Sequence, residues 1–399
     1  MNPTRCTATQ IAVLFLTAAI WIGCDSSSDS DDPSGSLSGI VREEGTQTPL
    51  PNISVELGSV ETTTDQNGHY AFNGLLVGPS MALRASANGF ELFSANVVLQ
   101  AGSNSRDIVM VRKTYYTYDS ETGDFGLYLP PGIATYRGAI FLVLPPQDSL
   151  DSRGFASGKP TSSVPENNAY VAALRVLSLQ LADEHGLALM GAQIVNESVF
   201  SSASFNNVLK ALEQAANESG HTELAQAPLL IMGPSRGGCY AHAFTVARSE
   251  RTIGFMSSKG GCHIVDDAGG GKSVPGYLFI GAIDAESARD NITALFETNR
   301  STGALWALAT EPGAGHRPPM DFDLIGNWMD AVITGRLSAP GGSVTLRSID
   351  EATGWLGDRE SRSIAEYAAY QGDKLQASWL PSMQTAEDWE AFVSAVPSL

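Results

Sequence analysis

Ser235 lies at the centre of Gly233-Pro234-Ser235-Arg236-Gly237, a G-x-S-x-G pattern. The apolar run directly before it, Pro228-Leu229-Leu230-Ile231-Met232, suits a buried strand, and the small residues after it, Gly237-Gly238-Cys239, suit a helix start. A serine on a sharp strand-to-helix turn is held in a strained conformation with its hydroxyl projecting. The flanking glycines are expected where a Cβ would strike the neighbouring strand or helix. The helix N-terminus adds positive potential where an oxyanion would form, and the Arg236 N–H is the expected first donor to it. The chemistry implied is nucleophilic attack on a carbonyl.

Such a serine needs a base, and three histidines follow it. His242 falls inside the helix after the turn and is expected in packing. His263, in Gly260-Gly261-Cys262-His263, could line the site. His316 sits in the glycine-rich loop Pro312-Gly313-Ala314-Gly315-His316, after the last strand and before a helix over 321–333, and is the expected base. The orienting acid is expected at the end of the preceding strand, in Gly281-Ala282-Ile283-Asp284. Asp284 is the first choice and Glu286 the rival. A second oxyanion donor is expected from the loop after the apolar run Gly138–Leu144. That loop begins Pro145-Pro146, and proline has no N–H, so the donor falls to Gln147, Asp148 or a residue beyond.

The elements that must position these residues alternate between strand and helix. Apolar runs at Gly138–Leu144, Leu187–Ile194, Pro228–Met232, Thr252–Met256, Gly276–Ile283 and Ala304–Ala309 read as strands. Helical spacing appears over Val164–Gly186, at Phe205, Val208, Leu209 and Leu212, and from Ser235 through Ala247. This pattern predicts a mostly parallel sheet with helices on both faces. From about residue 115 to 335 the chain resembles the α/β-hydrolase superfamily, and within it the exported esterases. The resemblance implies a Ser235–Asp284–His316 triad that cleaves carboxylic esters through an acyl-enzyme. The loop at Pro145-Pro146 departs from the His-Gly-Gly of many such proteins. A peptidase on the same triad, or an inactive surface protein that binds a polymer, are the alternatives. Trp355 and Trp379, beyond residue 337, read as packing residues of a C-terminal extension.

The segment before this domain reads differently. Ile53, Val55 and Leu57 alternate with polar residues, as do Met81, Leu83 and Ala85, and Asp65-Gln66-Asn67-Gly68 is a strong turn. Short strands without a helix predict a small β-sandwich. Ser38-Gly39-Ile40-Val41, Pro49-Leu50-Pro51, Thr64-Asp65 and Gly68-His69-Tyr70-Ala71-Phe72 resemble the carboxypeptidase regulatory-like (transthyretin-like) domain. That resemblance implies seven strands and no catalytic residues of its own.

The first residues read as an address. Arg5 precedes an apolar stretch over 11–22, too short to span a bilayer, and Trp21-Ile22-Gly23-Cys24 resembles the lipobox of bacterial lipoproteins. The expected division is a signal peptide over 1–23, an acidic Ser/Asp-rich tether over 24–36, the sandwich over 37–113 and the hydrolase domain over 114–399. Cys24 is the expected lipidation site, which places the protein in the cell envelope on a membrane anchor. The formal net charge of −19 argues against a nucleic-acid partner. No metal-ligand spacing and no phosphate loop is evident, so no cofactor is expected, and the partner is an ester substrate, free or polymer-linked. Four cysteines occur in the chain. Cys6 lies in the signal peptide and Cys24 is assigned to lipid, which leaves Cys239 and Cys262. These lie near the carboxyl ends of adjacent strands and are expected to form a disulfide, the alternative being two buried thiols.

Overall fold

The computed structural model describes residues 34–144, 153–158, 165–195, 198–338 and 344–396. Cys24 and Gln147 lie outside the described residues.

Alternating apolar residues build the N-terminal sandwich. Its strands are β1 (Ser34–Glu43), β2 (Ser54–Leu57), β3 (Val60–Thr63), β4 (His69–Leu76), β5 (Ser80–Ser86), β6 (Phe93–Val98), β7 (Gly102–Ser105) and β8 (Ile108–Met110). One sheet has the order β3-β2-β5-β6; in the other, β4 and then β7 and β8 flank β1. Val41, Ile53, Val55, Leu57, Phe72, Leu83 and Ile108 are buried between them. The count is eight strands rather than seven. The reason is a break in one strand: β7 and β8 both run parallel to β1, and between them the Asp107 carboxylate accepts from the Ile40 N–H at 2.9 Å in place of a backbone carbonyl. The Asp65–Gly68 turn closes as the sequence suggests. Asp65 Oδ1 accepts from the N–H groups of Asn67 and His69 at 2.8 and 2.9 Å, and Gly68 takes φ +76°. These bonds also hold the Asp65 carboxyl below its ordinary pKa. Lys113 Nζ lies 3.2 Å from Glu218 Oε2, an ion pair between the link that leaves the sandwich and the domain that follows.

That domain is built on an eight-stranded sheet: β9 (Tyr115–Ser120), β10 (Gly123–Tyr128), β11 (Gly138–Leu144), β12 (Leu187–Ile194), β13 (Leu229–Pro234), β14 (Thr252–Ser258), β15 (Gly276–Gly281) and β16 (Trp306–Glu311). The order is β9-β10-β12-β11-β13-β14-β15-β16, with β10 antiparallel to both neighbours and every pair from β12 to β16 parallel. Strand β11 shows why it is central. Ala139, Phe141 and Val143 face one core and Ile140, Leu142 and Leu144 the other, and all seven of its residues are buried.

Seven α-helices are described: α1 (Arg153–Ser157), α2 (Pro165–His185), α3 (Ser202–Ser219), α4 (Arg236–Ala247), α5 (Glu286–Arg300), α6 (Phe322–Arg336) and α7 (Met383–Ser394). Residues of α3, α4 and α5 fill the first core; residues of α2, α6 and α7 fill the second. The architecture is the α/β-hydrolase fold. Helix α5 is polar overall: its buried face is Ile292, Leu295, Phe296, Asn299 and Arg300, and with only three large apolar residues on that face the sequence did not announce it. No described helix is long and apolar enough to cross a membrane.

The C-terminal extension covers the β16 edge. It comprises β17 (Trp355–Gly357), β18 (Ile364–Glu366) and β19 (Ser378–Leu380) in one small antiparallel sheet, followed by α7. Ser378 Oγ donates to the Leu308 carbonyl and accepts from the Leu308 N–H, each at 3.0 Å, and Trp389 Nε1 donates to the same carbonyl at 2.8 Å. Trp379 is buried, and its Nε1 donates to the Glu351 carbonyl. Arg300, fully buried on α5, donates to the carbonyls of Ala304, Lys374 and Ala377 and fastens the extension to the domain.

Candidate active site

The strand-to-helix turn at Ser235 is sharp. Ser235 takes φ +50° and ψ −124°, a conformation that costs on the order of 1–3 kcal/mol for a residue with a side chain. Its surroundings enforce it. The Ser235 N–H donates to the Ser258 carbonyl at 2.8 Å, and the Ser235 carbonyl accepts from Gly238 and Cys239 at 3.0 and 3.2 Å. Strand β11 presses directly on the turn. A Cβ at Gly237 would lie 2.0 Å from the Val143 carbonyl oxygen, and one at Gly233 would lie 2.3 Å from the same atom. The glycines are therefore a steric condition for the turn.

His316 Nε2 is 3.0 Å from Ser235 Oγ, and His316 Nδ1 is 2.9 Å from Asp284 Oδ2. The three residues come from the ends of β13, β15 and β16, all at the carboxyl edge of the sheet. The Asp284 side chain is 6% exposed and that of His316 49% exposed, so the carboxylate is shielded while the imidazole meets solvent. Backbone bonds join the two loops: Ala282 N–H to the Glu311 carbonyl and Ile283 N–H to the Ala314 carbonyl, each 3.0 Å. Glu286, the rival acid, is exposed in the first turn of α5, and the carboxylate bonded to His316 is that of Asp284. The Arg236 N–H is among the leading donors of α4 that no carbonyl of that helix can take.

The other two histidines are buried behind the turn. His263 Nε2 is 3.0 Å from Ser257 Oγ, and Asn291 of α5 brackets its backbone with bonds of 2.9 and 3.0 Å. His242 packs edge-on against His263 and Trp306. Burial pushes the His242 imidazole down to about 4 and that of His263 well below its ordinary value, so both are neutral. Cys239, on the first turn of α4, is joined by a disulfide to Cys262, with a Cα separation of 5.9 Å.

Sequence reasoning passed over Lys259. It follows β14 directly, takes φ +56°, and is 1% exposed. Its Nζ lies 2.5 Å from Glu311 Oε2, and burial lowers the ammonium pKa against the opposing pull of Glu311. A lysine before Gly260-Gly261 at a strand end is the one signal in the sequence that could have drawn attention to it.

Comparison with known proteins assigns residues 36–112 to the carboxypeptidase regulatory-like domain. No curated protein matches the chain. Among solved structures, it is similar to a thermostable esterase at 12% identity, with a TM-score of 0.38 and coverage of 71% of this chain and 91% of the other. The feruloyl esterase module of Clostridium thermocellum, complexed with sinapinate, is similar at 15% identity and a TM-score of 0.36, over 51% and 81%. Poly(aspartic acid) hydrolase-1 of Sphingomonas sp. KT-1 is similar at 13% identity and a TM-score of 0.35, over 51% and 92%.

Proposed function

We propose that the protein is an exported serine hydrolase that cleaves carboxylic esters. The observation that carries this reading is the continuous chain Ser235 Oγ–His316–Asp284, with links of 3.0 and 2.9 Å, at a strained turn open to solvent. Ser235 attacks the ester carbonyl while His316 Nε2 takes its proton. Asp284 holds the imidazole tautomer with Nε2 toward the serine and stabilises the imidazolium that forms. The Arg236 N–H, with a second donor from the segment containing Gln147, binds the oxyanion. His316 then protonates the leaving alcohol and activates the water that releases the acyl group. A fluorophosphonate probe, which phosphonylates an activated serine with loss of fluoride, is expected to label the wild-type protein and not Ser235→Ala, and hydrolysis of p-nitrophenyl acetate is expected to outpace that of aminoacyl p-nitroanilides. Equal labelling of both proteins refutes the role of Ser235, and the reverse substrate preference makes the enzyme a peptidase.

The address at the N-terminus belongs to the same reading. Lipid on Cys24 would hold the protein on an envelope membrane, with the acidic tether and the sandwich between the anchor and the catalytic domain. Cys24→Ser should move the protein from the detergent phase to the aqueous phase in Triton X-114 partitioning. Unchanged partitioning would remove the anchor from the proposal.

A further inference from the structure

Lys259 is a poor choice for stability alone. A non-glycine residue at φ +56° is strained, and a buried ion pair typically recovers little more than the cost of desolvating it. Its placement is informative. Strand β15 lies between β14 and β16, so an ion pair from Lys259 at the end of β14 to Glu311 at the end of β16 spans two strand spacings, roughly 10 Å. It thus straddles the strand end that leads into Asp284. Each end of the pair is also tied by its backbone to a triad segment. Lys259 follows Ser258, whose carbonyl holds the Ser235 N–H, and its own N–H donates to the Phe279 carbonyl of β15 at 2.9 Å. Glu311 accepts from Ala282 in the acid loop at 3.0 Å and begins the loop that carries His316. Its second carboxylate oxygen lies 3.5 Å from Arg317, the residue after His316.

We propose that Lys259 and Glu311 are a positioning pair for the triad: their ion pair clasps the three strand ends that carry the support of Ser235, Asp284 and His316, and so sets the spacing of the three groups. The inference rests on the serine-hydrolase reading of this site. A displacement of about 1 Å among reacting groups costs on the order of 100-fold in rate, which is the scale of effect expected when the clasp is cut.

The test uses the full chain, with p-nitrophenyl acetate turnover and NMR of the His316 ring read in parallel. Lys259→Met and Glu311→Gln should each lower kcat about 10- to 100-fold and leave KM within about twofold, because both side chains of the pair are largely buried. The downfield His316 Nδ1 proton, bonded to Asp284, should broaden or move upfield in both. A purely structural role would lower the melting temperature and leave the downfield His316 proton of the folded variants in place. Should Lys259→Met fail to fold, the Lys259→Met/Glu311→Leu double variant, which buries no lone charge, should fold and show the same loss of kcat. Turnover within twofold of wild type together with an unchanged His316 resonance overturns the clasp. Undiminished ester turnover in Ser235→Ala refutes the serine-hydrolase reading instead, and the His316 resonance still decides the clasp.

Discussion

Two serine–histidine pairs sit within one neighbourhood of this molecule, and they have the same oxygen-to-nitrogen distance. Ser235 and His316 are 3.0 Å apart, and so are Ser257 and His263. Under the proposed function, only the first carries the equipment of catalysis. His316 Nδ1 has a carboxylate partner that fixes its tautomer and can share the charge of an imidazolium; His263 Nδ1 is buried with no partner among the described residues. His316 is half-exposed, whereas Ser257 and His263 are sealed in the core, and burial keeps the second imidazole neutral. Ser235 stands on a strained turn beneath a helix N-terminus, while Ser257 lies within strand β14. The comparison separates contact from function: a hydroxyl next to an imidazole becomes a nucleophile when an acid, solvent access and a preorganised oxyanion site are supplied with it.

The largest effects are expected at the Ser235–His316 pair. His316→Ala and Asp284→Asn should each lower kcat on the order of 10³- to 10⁴-fold with the fold intact. His263→Gln and Glu286→Gln should leave kcat within about tenfold, the first showing its effect mainly in the melting temperature. Steady-state kinetics with matched circular dichroism checks both halves. A collapse of activity in His263→Gln alone would make the buried pair part of the machinery.

A smaller effect is expected from pH. His242 is held neutral in the fold with a pKa of about 4, below the ordinary histidine value of 6.5. The stability that depends on its neutral form is complete above pH 6.5 and is lost as pH falls from 6.5 to about 4, because the unfolded chain takes up the proton first. The loss amounts to roughly 3 kcal/mol across that window. His242→Leu should make the acid side of a urea-midpoint profile measured from pH 7 to pH 4 less steep, with the buried neutral His263 accounting for the slope that remains. An equally steep profile in the variant would assign the acid lability elsewhere.

How much of this was legible in the sequence follows from the length scale of each signal. The turn at Ser235 was legible because a strand, two glycines and a helix start are contiguous over about a dozen residues. Asp284 and His316 stood out because each lies in the short loop that follows an apolar strand, three and five residues beyond the strand ends Gly281 and Glu311. The disulfide was anticipated from the adjacency of two parallel strands, and the structure joins those two cysteines. Lys259 and Glu311 were missed because their partnership spans 52 residues and skips a strand, and neither residue stands in a motif. Helix α5 was missed because most of its surface is polar. The broken strand β7–β8 was missed because the bond that replaces the ladder comes from the Asp107 side chain, which no alternation pattern marks.

One feature of the C-terminal extension bears on self-association. An uncovered parallel edge strand is a template on which a second chain can add by backbone pairing. At Leu308 in the middle of β16, that offer is withdrawn: the amide N–H is taken by the Ser378 hydroxyl, and the carbonyl is shared by that hydroxyl and the Trp389 indole. Because side chains rather than a ninth strand satisfy these groups, the sheet ends there without presenting a fresh edge of its own. The extension thus works as an end stop, closing one route by which copies of the chain could polymerise edge to edge.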